Sequence, residues 1–179
     1  IMATYFNKSG VYELQRPTVA GRTHGTESDL SALFLERVFQ IARNDGQVAQ
    51  VLPGAIFNGS STKDLRMKLL DEASIQTLVT FENKGIFPAI DNRYKFGILV
   101  CENQGQTEEL SAIFQQQDTE ILKTIDEDAL EIPYRVLAEY SPTARIFPYL
   151  HSQTEVSVLN TILQHSPIAD DSTDSWYSK

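Results

Sequence analysis

The most unusual stretch of this sequence is FENKGIFPAIDNRYKFGILVCEN, residues 81–103, in which an aromatic and basic loop leads into an apolar strand. Aromatic side chains stack on planar rings, and basic ones bind phosphates or polar base edges. The loop holds both kinds, namely Phe87, Tyr94, Lys84, Arg93 and Lys95. Loops at the carboxyl ends of strands in open α/β sheets commonly bind ligands. The loops over 82–95 and 53–62 are therefore the candidate sites.

A purely structural interpretation of the first loop is also open. Phe87 and Pro88 would then close the edge of the sheet, because aromatic side chains are common core residues. The basic side chains would simply be solvated. The spacing of the residues alone does not decide between the two interpretations.

Other kinds of chemistry find little support in the sequence. His24, His151 and His165 lie in unrelated segments, and the single cysteine, Cys101, falls within an apolar strand pattern. Neither a metal site nor a Cys–His pair is therefore predicted, and we expect surface histidines and a buried thiol. No GxxxxGK[ST], GxGxxG or GxSxG motif occurs, which removes the main support for the common nucleotide-binding and hydrolase sites.

Charge is distributed unevenly along the 179 residues, whose net charge is −9. Residues 1–100 contain 11 Lys/Arg and 10 Asp/Glu, whereas residues 101–179 contain 4 and 14. The acidic second part argues against a strong phosphate footprint from this chain alone. We therefore divide the chain into an N-terminal loop segment (1–28), an α/β unit (29–103) and an acidic, α-rich linker (104–179). No run of about 18 apolar residues occurs, which predicts a soluble, cytoplasmic protein without a membrane partner.

Hydrophobic periodicity predicts the α/β unit. SDLSALFLERVFQIARNDG has the spacing of an amphipathic helix that begins at Ser28 or Asp29 and ends before Gly46. GQVAQVLP indicates a strand buried on both faces of a parallel sheet, and TKDLRMKLLDEA indicates a second helix. IQTLVTFE and YKFGILVCE are strands too close together for a helical crossover. We expect them to form an antiparallel hairpin at the edge of the sheet.

The patterns after residue 103 are weaker. LSAIFQQ indicates a strand, and DTEILKTI and IPYRVLAEYSP indicate short helices. SQTEVSVLNTILQHSP predicts a longer helix in which Ser152 and Glu155 form a capping box. The polar C-terminal tail is expected to be poorly ordered, although Trp176 and Tyr177 would be unusual in a free tail.

Two blocks of the sequence resemble a known family. DLSALFLERVFQIARNDGQVAQVLPGAIFNGSSTKDLRMKLL and IQTLVTFENKGIFPAIDNRYKFGILV are similar to the part of amino-methylating DNA methyltransferases that follows their Asn-Pro-Pro-Tyr/Phe motif. The similarity is to type IIG restriction-modification enzymes and phage-defence methylases. The matching residues are Phe34, Glu36, Arg37, Gly46, Pro53, Phe81, Glu82, Asn83, Phe87, Pro88, Lys95, Phe96 and Leu99. The segment AEYSPTARIFPYLHSQTEVSVLNTIL resembles the link to the target-recognition region of these enzymes.

The resemblance implies a partial Rossmann-like sheet with the last strands of a methyltransferase that uses S-adenosylmethionine and methylates adenine N6 in double-stranded DNA. The loop before the last strand would line the pocket for a flipped-out adenine. Phe87 would stack on the base, with Pro88 beside it and Tyr94 as a second candidate. Phe34 would either pack in the core or approach the cofactor. The three basic residues of the loop would contact phosphates, and no metal ion is implied.

The sequence departs from the family pattern in one respect. Neither an Asn-Pro-Pro-Tyr-type tetrapeptide nor the Gly-rich cofactor-binding loop occurs in it. We therefore expect a fragment that is inactive alone, with both motifs in the remaining part of the methyltransferase domain. The strand over 47–52 would then have an exposed edge, which self-association or residues 1–12 would cover.

Two other functions stay open at this point. One is a catalytically inactive interaction or specificity module that has kept the fold, and it is distinguished by whether the gene encodes the two missing motifs upstream. The other is a small-molecule or protein methyltransferase, against which the FEN and KF blocks weigh. The sequence gives neither the recognition site nor the choice between adenine N6 and cytosine N4.

Overall fold

The computed structural model describes residues 11–15, 18–19, 21–23 and 30–165. The elements are, in chain order, β1 (Thr18–Val19), β2 (Arg22–Thr23), α1 (Leu30–Ile41), β3 (Gln47–Pro53), α2 (Ala55–Asn58), α3 (Lys63–Asp71), β4 (Ser74–Glu82), β5 (Lys95–Glu102), β6 (Glu109–Gln116), α4 (Ile125–Asp128), β7 (Leu130–Pro133), α5 (Tyr134–Tyr140) and α6 (Gln153–His165), with 3-10 turns at Ser60–Thr62 and Thr119–Lys123. No helix in these ranges is long and apolar enough to cross a bilayer.

Some predictions fall outside the described residues. They concern the helix cap at Ser28 or Asp29, His24, most of residues 1–12, and the tail with Trp176 and Tyr177. The capping box of the last helix is described and confirmed, because the backbone N–H of Glu155 donates to Ser152 Oγ at 3.2 Å. The Glu155 carboxylate in turn accepts from the backbone N–H of His151 at 2.7 Å.

Five strands form one mixed sheet in the order β3-β5-β4-β6-β7. This sheet with its flanking helices confirms the predicted partial Rossmann-like α/β architecture. The antiparallel pairing of β4 with β5 is also confirmed, but its predicted position at the sheet edge is wrong, because β5 lies between β3 and β4. The long loop over 83–94 joins the ends of these two neighbouring strands, where Glu82 pairs with Lys95. β5 buries Phe96 on one face and Leu99 and Cys101 on the other, as an interior strand must.

β3 is the terminal strand of this sheet. Its predicted burial on both faces in a parallel sheet is wrong, since it pairs antiparallel with β5 and alternates along its length. Val48 and Leu52 are 3% and 2% exposed, whereas Val51 is 59% exposed. The mostly apolar run concealed this alternation. Within the described ranges no strand pairs with the outer edge of β3, as expected for this segment.

The sheet continues past the change of composition at residue 103. β6 pairs parallel to β4, and β7 pairs antiparallel to β6. In β6, Leu110, Ala112 and Phe114 are buried while Glu109 is exposed, so the acidic side chains sit on the solvent side of strands that complete the core. The compositional boundary is therefore not a structural boundary, and part of the predicted linker belongs to the sheet.

Two apolar clusters hold the sheet and helices together. The larger one joins all five strands to α1, α3, α5 and α6 on one face of the sheet. The smaller one lies on the opposite face and consists of Val79, Phe81, Phe96 and Ile113. The smaller cluster is at the end of the sheet where the candidate loops begin, which gives those loops an apolar base.

The side chain of Asn103, which directly follows β5, caps the C-terminal end of helix α1. Asn103 Nδ2 donates to the carbonyl oxygens of Phe39, Ala42 and Arg43 at 3.3, 3.0 and 3.0 Å. The last carbonyls of a helix have no partner within it, so such a side chain satisfies them. The helix ends at Ile41, earlier than the predicted stop before Gly46.

Candidate functional site

The two candidate loops lie next to each other at one end of the sheet, where β3 and β4 finish. In the register of the strands, Pro53 at the end of β3 lies opposite Phe96, and Glu82 at the end of β4 lies opposite Lys95. The backbone N–H of Gly54 donates to the carbonyl oxygen of Lys95 at 2.8 Å. The loops over 54–62 and 83–94 are thus neighbours at the carboxyl ends of β3 and β4, where the sequence predicted them.

Asn83 organises the loop over 83–94 from inside. Its side chain is fully buried. Nδ2 donates to the carbonyl oxygens of Phe87, Ile90 and Asp91 at 3.0, 2.9 and 3.3 Å, and Oδ1 accepts from the backbone N–H of Phe87 at 2.7 Å. An amide can donate and accept at once, so one side chain replaces the missing secondary structure of the loop. This explains the Asn of the FEN block.

Phe87 is held on one side and open on the other. Its ring meets the edge of Phe96, with centroids 5.0 Å apart, and Phe96 stacks on Phe81 at 5.1 Å. Phe87 nevertheless remains 40% exposed and Tyr94 41% exposed, and Pro88 is exposed as well. The contact with Phe96 fits the structural interpretation of Phe87, while its exposure fits a ligand contact. Both interpretations therefore describe part of this side chain.

The basic residues of the loop are paired with carboxylates of the same region. Lys84 Nζ and Lys95 Nζ lie 3.6 and 3.5 Å from the Glu82 carboxylate. Burial alone would raise the pKa of Glu82, but the two ammonium groups, with hydrogen bonds from Lys95 and Gln117, hold it below its ordinary value. The two lysines therefore lie close together at this end of the sheet, and both pair with the same carboxylate.

Arg93 is engaged separately, within its own turn. Its guanidinium donates to both oxygens of Asp91 at 3.0 and 2.9 Å, and its backbone N–H donates to Asp91 Oδ1 at 2.8 Å. These hydrogen bonds lower the pKa of Asp91 and raise that of Arg93. Arg93 is thus not gathered with the lysines at Glu82.

Part of this chain is similar in sequence to a known protein family. Residues 5–87 match the sequence profile of the family described as the Eco57I restriction-modification methylase. The predicted resemblance to restriction-modification methylases is confirmed. The match covers α1, β3, β4 and the first part of the loop that carries Phe87. A comparison with curated proteins finds no match.

Solved structures of restriction-modification proteins share the fold of this methylase-like chain. One belongs to the complex of a type I restriction-modification system, with a TM-score of 0.53 and 14% identity over 74% of this chain and 36% of that one. Another is a modification subunit of a putative type I restriction enzyme from Vibrio vulnificus YJ016, with a TM-score of 0.51 and 14% identity over 75% and 34%. The chain thus spans about a third of the length of these structures.

The methylase-like region contains a buried arginine that the sequence did not single out. Arg66 is fully buried, and its Nη1 donates to the carbonyl oxygens of Ile56 and Gly59 at 3.0 and 2.7 Å. Its Nε and Nη2 donate to the carbonyl oxygen of Ala144 at 3.0 and 2.7 Å. Burial lowers the pKa of Arg66 to about 10, which still leaves it charged at neutral pH. Arg66 therefore ties the loop over 54–62 to a distant segment.

That segment brings a further aromatic residue to the site. Tyr149 Oη accepts a hydrogen bond from Asn58 Nδ2 at 3.2 Å, and its ring lies 5.6 Å from that of Phe114. Lys95 Nζ lies 5.8 Å from the centre of the Tyr149 ring. Sequence reasoning assigned Tyr149 to a linker, although the aromatic run IFPY was visible there.

Other predicted residues lie on the surface. Phe34 is 63% exposed on α1, so the prediction that it packs in the core is wrong. A role for Phe34 in cofactor binding stays a prediction. Its neighbour Glu36 is instead buried and accepts from the backbone N–H groups of Glu13 and Leu14 at 2.5 and 3.2 Å. His151 and His165 are exposed, as predicted.

Proposed function

We propose that this chain is the base-binding part of the catalytic domain of a site-specific DNA methyltransferase of a restriction-modification or phage-defence system, which acts on adenine N6. The observation that carries the proposal is the loop over 83–94, which falls at the end of the family match and presents a half-open aromatic ring. The FEN and KF blocks of the family border this loop, and Asn83 and Glu82 give them a physical role.

The geometry of Phe87 suits a base that has left the DNA duplex. An enzyme that acts on an exocyclic amine must extrude the nucleotide, and contacts in the pocket offset the cost of unstacking. Stacking on an aromatic face contributes roughly 1–3 kcal/mol per base. Phe87 is held in place by Phe96, and in this proposal its exposed part meets the base. Pro88 and Tyr94 border the same opening in this proposal.

The basic residues would meet the sugar-phosphate backbone. Lys84 and Lys95 share one carboxylate, Glu82, and are 46% and 42% exposed in their side chains. Exposed ion pairs contribute little to stability, so an approaching phosphate can take the place of the carboxylate at small cost. Arg93 would meet a phosphate separately from the lysines, since its Nε and Nη2 pair with Asp91, and Nη1 of this 89% exposed side chain takes no part in that pair.

The methyl donor of this chemistry would be S-adenosylmethionine. Among the described residues, Phe34 is the one contact that the sequence suggested for it, and a single exposed ring does not form a cofactor site. The described residues therefore do not form a site for the cofactor by themselves. We propose that the remaining part of the methyltransferase domain supplies its binding loop and the catalytic tetrapeptide, and pairs with the open edge of β3.

Transfer of tritiated methyl groups from S-adenosylmethionine to mixed-sequence double-stranded DNA tests the proposal. The full-length gene product that contains this chain is expected to transfer methyl groups, and this chain alone is not. Analysis of the modified base then separates adenine N6 from cytosine N4. Absence of transfer by the full-length product would favour a catalytically inactive interaction or specificity module.

Phe87→Ala in the full-length product separates a base contact from a cofactor contact. Methyl transfer should fall roughly five- to a hundredfold, since stacking on the flipped base is lost, while the affinity for S-adenosylmethionine stays the same. Ile90→Ala is the matched control, because Ile90 is an apolar residue of the same loop with 42% exposure. Equal losses of transfer and cofactor binding in Phe87→Ala would contradict the assignment.

A further inference from the structure

The segment over 142–150 is joined to the loop after β3 at several points. Besides the bonds from Arg66 to Ala144, the rings of Phe57 and Phe147 meet edge to face at 5.9 Å, and the backbone N–H of Phe147 donates to the carbonyl oxygen of Phe57 at 3.3 Å. The Asn58 to Tyr149 hydrogen bond continues this series. The segment thus lies beside the candidate site, and the ring of its Tyr149 lies 5.8 Å from Lys95 Nζ.

Lys95 stands between two groups that attract its ammonium. On one side is the Glu82 carboxylate at 3.5 Å, and on the other is the face of the Tyr149 ring at 5.8 Å. Its backbone is fixed as well, because its carbonyl oxygen accepts from the Gly54 N–H. The two attractions differ in kind: a carboxylate repels an incoming phosphate, and a neutral ring does not.

We infer that Tyr149 is a positioning residue that holds the Lys95 ammonium where a nucleic-acid phosphate can reach it, an inference that rests on the proposed function. When a phosphate displaces Glu82, the cation–π contact is the interaction that still fixes Lys95. A free lysine side chain loses much rotamer entropy on binding, and a chain that is already ordered loses less. Tyr149 therefore acts on DNA binding through Lys95.

A double-mutant cycle on the full-length gene product tests this inference. DNA affinity is measured for the wild type, Lys95→Met, Tyr149→Leu and the double variant over a range of salt concentrations. Lys95→Met should reduce the salt slope by about one, as the loss of one phosphate contact does. Tyr149→Leu should weaken binding roughly two- to five-fold, the range of an exposed cation–π contact, and should add nothing in the Lys95→Met background.

Tyr149→Phe is the conservative variant in this cycle. It keeps the ring and removes only the hydroxyl that Asn58 binds, so its affinity and salt slope should match those of the wild type. If Tyr149→Leu does not fold, Tyr149→Met takes its place, because the flexible methionine side chain can adapt to the contact with Phe114.

Three results would overturn the inference. An equal loss from Tyr149→Leu with and without Lys95 would make Tyr149 independent of the lysine, while the proposed function would stand. A loss from Tyr149→Phe as large as from Tyr149→Leu would assign the effect to the hydroxyl. Failure of the wild type to bind or methylate DNA would remove the proposed function itself, and the inference with it.

Discussion

Single polar side chains, rather than secondary structure, fix the shape of the candidate site. Asn83 holds one loop through its own amide, Glu82 gathers two lysines, and Arg66 joins a second loop to the segment over 142–150. Asn83 and Arg66 are fully buried, and each donates to backbone carbonyl oxygens. The cost of leaving a buried donor or acceptor without a partner is about 1–3 kcal/mol, so these residues also stabilise the fold.

Asn83→Asp should lower methyl transfer strongly and the free energy of unfolding moderately. The carboxylate has the same shape but cannot donate, so it would face three carbonyl oxygens, and we expect a destabilisation of about 1–3 kcal/mol. The loop would then no longer hold Phe87, and methyl transfer by the full-length product should fall roughly tenfold or more. Chemical denaturation and the methyl-transfer assay measure the two effects.

Asn103→Asp is the matched control for this change. Asn103 also donates to three carbonyl oxygens, but at the end of helix α1, beyond the opposite end of β5. Because Asn103 is only partly buried, the Asn103→Asp variant should lose somewhat less stability, and it should keep its methyl transfer at temperatures where it is folded. Equal transfer by the two variants would show that Asn83 does not position the site.

At the scale of elements, β5 is the strand on which the rest depends. It lies between β3 and β4, supplies Lys95 and Phe96 to the site, and packs against α2 through a glycine. A Cβ at Gly97 would lie 2.6 Å from Phe57 Cε2, closer than real Cβ contacts allow. The absent side chain therefore lets the loop after β3 approach the sheet.

Gly97→Ala should move that loop and destabilise the protein by about 1–3 kcal/mol, the usual range for overpacking a core. Phe57→Leu in the same chain should recover part of the loss, since a smaller side chain makes room for the new methyl group. Thermal unfolding of the two single variants and the double variant measures this coupling. Simple additivity of the two losses would show that the contact with Phe57 is not the cause.

Cys101 should behave as a buried apolar residue of β5. Its thiol is fully buried, and burial raises its pKa to about 11, so it stays protonated in the folded protein at pH 8. Labelling by a thiol reagent should therefore occur only after unfolding, at the unfolding rate. Because the folded pKa lies above the ordinary value of 9.0, stability should fall as the pH rises between these two values. Rapid labelling of the native protein at pH 8 would contradict this placement.

At the scale of the whole molecule, the sheet ends at β3 with apolar side chains exposed on and near that strand. β3 has an unpaired outer edge within the described ranges, and Val51 on it is 59% exposed, as are Phe34 at 63% and Ile41 at 65% on α1. An unpaired, apolar strand edge tends to pair with another chain. This agrees with the proposal that another part of a methyltransferase domain covers this side.

This chain alone is therefore expected to self-associate through β3. Val51→Lys should lower the association, because a charged side chain on an edge strand disfavours pairing with a second copy. Val158→Lys is the matched control, as Val158 is 53% exposed on α6, and it should leave association unchanged. Sedimentation velocity over a range of concentrations measures the effect. A monomer at every concentration would contradict the expectation.

The sequence by itself determined the main elements up to residue 103 and where the two candidate loops lie. Helix α1, strands β3 to β5 and the long loop before Lys95 were predicted from periodicity and from the FEN and KF blocks, and the structure contains them. Periodicity reports which side of an element is buried, and turn residues report where it stops. Such signals are local, so one sequence is enough to find them.

Only the tertiary structure decided the order of the strands and the contacts that complete the site. The insertion of β5 between β3 and β4 depends on the path of a loop, which no periodicity records. The bonds from Arg66 to Ala144 join residues 78 positions apart, and the approach of Tyr149 to Lys95 follows from them. Side-chain bonds to a distant backbone leave no spacing pattern, because their partners are brought together only when the whole core packs.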